Sequence, residues 1–378
     1  MQPFRLPYQS ADWFRLFSIF LCALILGLAS CAAVAPPGSE RTTEQSRFIH
    51  DIQGSGPAVT TPGALVTVTA IVVGDFQDDT ELSGFFLQEE DADVDGDPLT
   101  SEGIFVYCGA CLVAVEEGDQ VEVTGIAEEF FGMSQLDVAA AGAAGEVRVL
   151  SQGNVVTPAL LGLPFDGSVD AEATLEPYEG MLVRFRHPLT VTEFFQLGRY
   201  GQFVLAGGRQ QQFTLDNDPD PAGYSAYRQQ LSAGRIILDD RNNEQNIDPV
   251  YYPQPGGFAV DRYVRGGDTV DELTAVLHWS FAGTPGTEAW RLRPSKLYPV
   301  RFTRSNPRTA PPAVGGRLRI ASFNALNYFN GDGRGGGFPT ARGAHSPAEL
   351  ARQTAKIVAA LTALDADIIG LQELENDY

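Results

Sequence analysis

Cysteine is scarce, with four residues among 378. Cys22 and Cys31 belong to an apolar N-terminal run, which leaves Cys108 and Cys111 as the thiols of the body. A single Cys-x-x-Cys offers too few ligands for a zinc site, and no second pair accompanies it. It follows a strand-like run, Gly103-Ile-Phe-Val-Tyr107, and lacks the βαβ context of a redox motif. In an oxidising compartment the expected outcome is a Cys108–Cys111 disulfide pinning a tight turn. So short a loop contributes little chain-entropy stabilisation. Positive charge is short as well. Lys and Arg number 26 against 48 Asp and Glu, a net charge of -22. That excludes nucleic-acid binding by the whole surface and leaves room only for a local basic patch. Long apolar runs are missing save one, which excludes a polytopic membrane protein. What is present, 44% hydrophobic and 20% charged residues, suits a chain that buries a core and excludes wholesale disorder. The length calls for two or three domains. Forty Gly and 24 Pro, with abundant Val, Thr and Phe, point to turns and short strands more than to long helices.

Arg5 and Arg15 precede the one apolar run, Leu16 to Ala29. As a helix it would span ~21 Å, short of a ~30 Å hydrocarbon core, and it has the length of a signal-peptide h-region. Its ending, Leu28-Ala29-Ser30-Cys31, resembles a bacterial lipobox. That resemblance implies lipidation of Cys31, and Ala32 in place of Asp implies outer-membrane sorting. An ordinary cleaved signal with an incidental Cys31 is the alternative. The expectation is residues 1–30 as signal peptide, 31–47 as tether, and a protein secreted across the inner membrane and held at the outer membrane or cell surface by its lipid.

Short strands follow. Val66, Val68, Ala70 and Val72 alternate with Thr67, Thr69 and Ile71. Further strand-like stretches lie at Gly84–Leu87, Gly103–Tyr107, Gln120–Ile126 and Val147–Leu150. Five short strands separated by turns fit a small Greek-key barrel over 48–152. Gly84-Phe-Phe-Leu-Gln-Glu-Glu90 resembles the OB-like module at the front of secreted bacterial nucleases. Echoes recur later in the same order. Gly63-Ala-Leu-Val66 matches Gly180-Met-Leu-Val183, Gly84-Phe-Phe-Leu87 matches Gly201-Gln-Phe-Val-Leu205, and Gly118-Asp-Gln-Val121 matches Gly267-Asp-Thr-Val270. Either 153–305 is a second, diverged OB-like module, or Gly followed by β-branched residues simply recurs, as it does in any β protein.

One loop has a metal signature. Asp91, Asp93, Asp95, Gly96 and Glu102 match the calcium pattern D-x-D-x-D-G-x5-E. Pro98 and strand-like flanks weigh against it, and a solvated acidic hairpin is the alternative. Charge is also uneven: residues 32–284 carry -27, whereas 285–315 carry +5. Arg291, Arg293, Lys296, Arg301 and Arg304, interleaved with Trp290 and Tyr298, are candidates for phosphate-backbone contact, or else a solvated strand face.

After a Pro/Gly linker at 306–316 the pattern changes. Leu318 to Asn324 reads as a strand. Ser346-Pro-Ala-Glu349 opens a capped helix, and Asp367-Ile-Ile-Gly-Leu-Gln-Glu373 reads as a second, almost wholly apolar strand. This β-α-β unit predicts the start of an α/β sandwich over 317–378. Ser322-Phe-Asn324 and Ile368-Ile-Gly-Leu-Gln-Glu373 resemble the first two motifs of the endonuclease/exonuclease/phosphatase superfamily. Asn324-Ala-Leu-Asn-Tyr-Phe329 and Leu371-Gln-Glu-Leu-Glu-Asn-Asp377 resemble its bacterial extracellular endonuclease branch. The resemblance implies metal-dependent hydrolysis of DNA or RNA phosphodiesters. Glu373 would hold Mg²⁺ or Mn²⁺, and Asn324 would orient that carboxylate and the scissile phosphate. Glu375 lies one strand period away.

The superfamily completes its site with downstream His and Asp residues. The chain reaches Tyr378 a few residues after the second motif, and none of His50, His187, His278 or His345 has a matching context. The expectation is a C-terminally truncated nuclease without appreciable activity. The rival expectation is a lipid-anchored OB-fold binding protein without catalysis. Neither requires an obligate protein partner.

Overall fold

The computed structural model describes residues 45–376 except 260, 308–309, 332–336 and 341. The expected signal peptide, Cys31 and most of the expected tether lie outside the described residues.

The described chain is mostly β. Gln45–Ser46 (β1) pairs in parallel with the edge of Leu65–Phe76 (β2), and the short helix Ile49–Gln53 lies between them. Gly84–Gln88 (β3), Gly103–Tyr107 (β4), Gln120–Phe130 (β5), Met133–Asp137 (β6) and Glu146–Ser151 (β7) follow. Pairing runs β2-β3-β4-β6-β5, and β5 returns to β2 from Leu65↔Ile126 to Ile71↔Gln120. This closes a five-strand barrel, compatible with the expected OB-like module. The alternation legible in β2 is real: Val66, Val68, Ala70 and Val72 fill the barrel with Phe85, Leu87, Ile104, Val121 and Leu136, and Ile49 and Ile52 plug it. Between Val72 and Gly74 the register of β2 against β3 shifts. That bulge changes the parity of the strand, so Phe76 joins Ile71 and Val73 on the outer face.

The outer face is not solvated. Ile71, Val73, Phe76, Phe86, Phe105 and Met133 share one core with a second sheet. That sheet comprises Ala159–Leu161 (β8), Leu182–Phe185 (β9), Leu189–Glu193 (β10), Phe203–Ala206 (β11), Arg235–Leu238 (β12), Thr269–Val270 (β13), Thr274–Ser280 (β14), Ala289–Pro294 (β15) and Phe302–Thr303 (β16). The helix Pro221–Ala233, capped by Asp220, fills the connection from β11 to β12. β9 and β10 are successive segments of the chain, as are β13 and β14. β14 pairs with β9 and β13 with β10, so the sheet curls back on itself. Its pairing order repeats that of the barrel, down to a parallel contact, β12 on β15, where the barrel has β4 on β6.

Ile320–Tyr328 (β17), the helix Pro347–Leu364 and Ile368–Leu374 (β18) form the expected β-α-β unit, with β17 and β18 parallel. The Ser346 hydroxyl accepts from the Glu349 N–H at 3.2 Å, and the Glu349 carboxylate accepts from the His345 N–H at 2.8 Å. Among the described residues this unit makes no sandwich. Two strands and one helix cannot cover both faces of a layer, and Ile320 stays 71% and Ile368 51% exposed.

Candidate functional site

β17 and β18 run side by side to a common end, which brings Asn324 level with Gln372 and next to Glu373. The Asn324 amide Nδ2–H donates to Glu373 Oε1 at 2.8 Å, and the Asn327 N–H donates to Oε2 at 3.0 Å. Asn324 Oδ1 accepts from the Leu326 N–H at 2.8 Å, so one amide fixes both the carboxylate and the bend beside it. Past Asn324 the pairing is irregular, and Leu326, Asn327 and Glu373 have φ of 56°, 50° and 57°. Left-handed backbone at three non-glycine residues is costly and is retained where the surroundings over-determine it. Here the helix holds the bend: Gln353 Nε2 donates to the Ala325 and Leu326 carbonyls at 3.1 and 2.8 Å, and Tyr328 and Thr354 join hydroxyls at 2.9 Å. The Asn324 hydrogen bond and then the Asn327 N–H pull the Glu373 carboxyl below its ordinary range, with Arg342 adding to the effect. The group is an ionised, solvent-facing carboxylate whose oxygens each accept one bond and keep a lone pair. That donor set fits a largely hydrated Mg²⁺ or Mn²⁺, which takes few protein oxygens and fills the rest of its shell with water and phosphate. Glu375 points elsewhere in the same bend and accepts from the Gly331 N–H at 3.0 Å.

The acidic loop spreads its carboxylates over different partners. Asp91 is bound to Thr157, from its N–H at 2.8 Å and its hydroxyl at 2.6 Å, which lowers the Asp91 pKa. Asp93 is exposed. Asp95 and Glu102 do approach, with the Asp95 N–H donating to Glu102 Oε1 at 3.1 Å. Their third neighbour is His50, whose Nδ1 lies 3.0 Å from Glu102 Oε2. Among the described residues the three-ligand group is therefore His50, Asp95 and Glu102, with ligand atoms within 4.8 Å of one another. The sequence pattern could not signal His50, which reaches the loop from a helix more than forty residues upstream. Cys108 and Cys111 are joined as a disulfide with Cα atoms 4.8 Å apart.

Two of the five cations expected to meet phosphate are committed to the interior, and a third, exposed Lys296, is held in an ion pair. Arg291 and Arg293, on β15, are 1% and 4% exposed and pair with Asp239 at 3.5 and 3.4 Å. Lys296 is bound to Asp75. Every residue of β15 is buried, so neither of its faces is a solvated strand face. Arg301 and Arg304 remain exposed, and the Arg304 guanidinium lies 4.4 Å over the Tyr263 ring.

Other buried charge lies where the barrel meets the second sheet. Arg241 donates to Glu81 at 2.8 and 3.1 Å, to the Pro294 carbonyl at 3.1 Å and to the Asp75 carbonyl. His278 packs its ring 5.4 Å from Phe86, and burial, then Arg293 and Arg291, hold its pKa well below the usual value. Glu179 is fully buried, accepts from Gln53 Nε2 at 3.3 Å and the Ser134 N–H at 3.1 Å, and has Oε1 without a hydrogen-bond partner. Desolvation, then Glu176, pushes its carboxyl well above the ordinary range, and Glu176 itself is pushed to about 8.

Neither a scan against protein-family models nor a search of curated proteins returns a match for this chain.

Proposed function

We propose that this chain is a secreted or surface-anchored, metal-dependent hydrolase of nucleic-acid phosphodiesters, of the endonuclease/exonuclease/phosphatase type. In this reading the barrel is an OB-like module, the curled sheet is its diverged copy, and residues 317–378 open the α/β sandwich. One observation carries the reading: the 2.8 Å hydrogen bond between Asn324 and Glu373, two residues 49 positions apart that meet at the tips of parallel strands. Glu373 would hold Mg²⁺ or Mn²⁺, and the bound cation would supply Lewis-acid polarisation of a phosphoryl oxygen. Asn324 orients the carboxylate and keeps it ionised. The lipid on Cys31 would hold the enzyme at a membrane surface.

The rival reading, an anchored OB-fold binder, fits less well. Ligands of that fold bind across its second and third strands, and in this barrel the outer faces of β3 and β4 place Phe86 and Phe105 in the core shared with the second sheet. The test is Mn²⁺ binding to the full chain, read by water-proton relaxation. Binding that Glu373→Gln weakens at least ~10-fold is expected. Binding indifferent to that substitution overturns the assignment. Plasmid nicking with Mg²⁺ or Mn²⁺ then asks whether any cleavage disappears in Glu373→Ala.

A further inference from the structure

The cations of this acidic chain are not spread evenly over its surface. A cleft of about 870 Å³ opens between the second sheet and the helix Pro347–Leu364. Arg209 and Arg265 stand on one wall, and Arg352 and Lys356, one turn apart on the helix, stand on the other. Among the described residues no acidic side chain lines it, in a chain where Asp and Glu outnumber Lys and Arg by 48 to 26. Among the described residues none of the four cations takes part in an ion pair, whereas Arg241, Arg291, Arg293 and Lys296 all do. Four unneutralised charges on facing walls repel one another, and a polyanion laid between them removes that repulsion. The floor is not purely polar. Phe194 and Phe258 line the same cleft and are 51% and 43% exposed. Exposed rings beside unpaired guanidinium groups are the surface on which unpaired bases stack while the backbone is neutralised. A duplex hides its base faces and would leave both rings unused.

We propose that this cleft binds single-stranded nucleic acid, with Arg209, Arg265, Arg352 and Lys356 on the phosphates and Phe194 and Phe258 against the bases. The assignment deepens the hydrolase reading and rests on it for the choice of nucleic acid among polyanions. It also replaces the buried Arg291 and Arg293 and the ion-paired Lys296 as the contact surface.

The experiment is fluorescence anisotropy of a labelled 20-nucleotide single strand, DNA or RNA, with the full chain in EDTA, so that no metal-dependent cleavage intervenes. Neutralising four phosphates predicts a slope of log K against log salt near -2.8, roughly 50-fold weaker binding at 200 mM than at 50 mM salt. Arg209→Glu with Arg265→Glu should weaken binding at least ~10-fold and flatten the slope. Arg352→Glu with Lys356→Glu, on the opposite wall, should do the same. Arg301→Glu, exposed and outside the cleft, should change little. Phe194→Ala should weaken single-strand binding more than duplex binding. Affinity unchanged in either double variant overturns the cleft. So does equal or tighter binding to phosphatidylglycerol vesicles with the same sensitivity, which would make the occupant a membrane surface. The two readings separate cleanly: Mn²⁺ binding that ignores Glu373→Gln while EDTA-insensitive strand binding persists removes the hydrolase and keeps the cleft. Mn²⁺ binding that requires Glu373, with strand binding indifferent to the arginines, does the reverse.

Discussion

At the seam between the two β-layers, Glu179 is sealed from solvent, and desolvation pushes its proton affinity far up. At the tips of β17 and β18, Glu373 faces water, receives two N–H donors, and is pulled down. Both are glutamates next to strands in one chain. The difference shows that burial without enough donors favours the acid form, whereas donors without burial favour the anion. The seam commits its charge to structure, and the strand tips leave an ionised carboxylate facing water.

The largest way to break this contrast is to strip a cation from the seam. Arg241→Ala leaves Glu81 beside the interface without its partner and should cost about 3–5 kcal/mol in urea unfolding. Arg319→Ala, which removes an exposed pair with Asp365, should cost less than about 1 kcal/mol. Next comes pH. Glu89 and Asp240 are pushed to about 7 and Glu176 to about 8, each chiefly by desolvation. For each, the folded pKa lies above the unfolded one, so the folded state holds extra protons between about pH 4.5 and 8. Stability should therefore fall as pH rises through that window. Glu179→Gln should recover about 1–3 kcal/mol at pH 8 and little at pH 4.5, read by denaturation at each pH. Removing the Cys108–Cys111 bridge as a double alanine should cost at most about 2 kcal/mol, since it closes so short a loop. The smallest effect sharpens the other side: Asn324→Ala should move the Glu373 pKa up toward its ordinary value, followed by carboxyl-resolved NMR titration, with no measurable change in melting temperature.

Much of the β architecture was legible because period-two alternation reports burial directly. In β2 the pattern Val66, Val68, Ala70, Val72 names the barrel interior. The helix start at Ser346 was legible for the same local reason, since capping residues act within one turn. What the sequence hid was non-local. Arg291 and Arg293 look like a charged strand face until Asp239, more than fifty residues upstream, is brought against them by the parallel pairing of β12 and β15. Within the calcium-pattern stretch Asp91 meets Thr157, and His50, which lies outside the pattern, meets Glu102. The cleft cations lie in three separate stretches, around 209, 265 and 352–356, that no window of sequence joins. The Asn324–Glu373 contact was anticipated from the resemblance of the two motifs to a known family, with both residues read at the ends of apolar strands.

The Arg241–Glu81 pair has a consequence for the order of events during synthesis. The two residues are separated by 160 positions. At roughly 5–20 residues per second, Glu81 and Phe76 emerge about 8–32 s before the guanidinium that will cover them. During that interval the barrel can close its interior, while its outer aromatic face waits for the second layer to be completed. A chain halted before codon 241 therefore lacks both the guanidinium that lies over Phe76 and the strands β13–β16 that complete the second sheet.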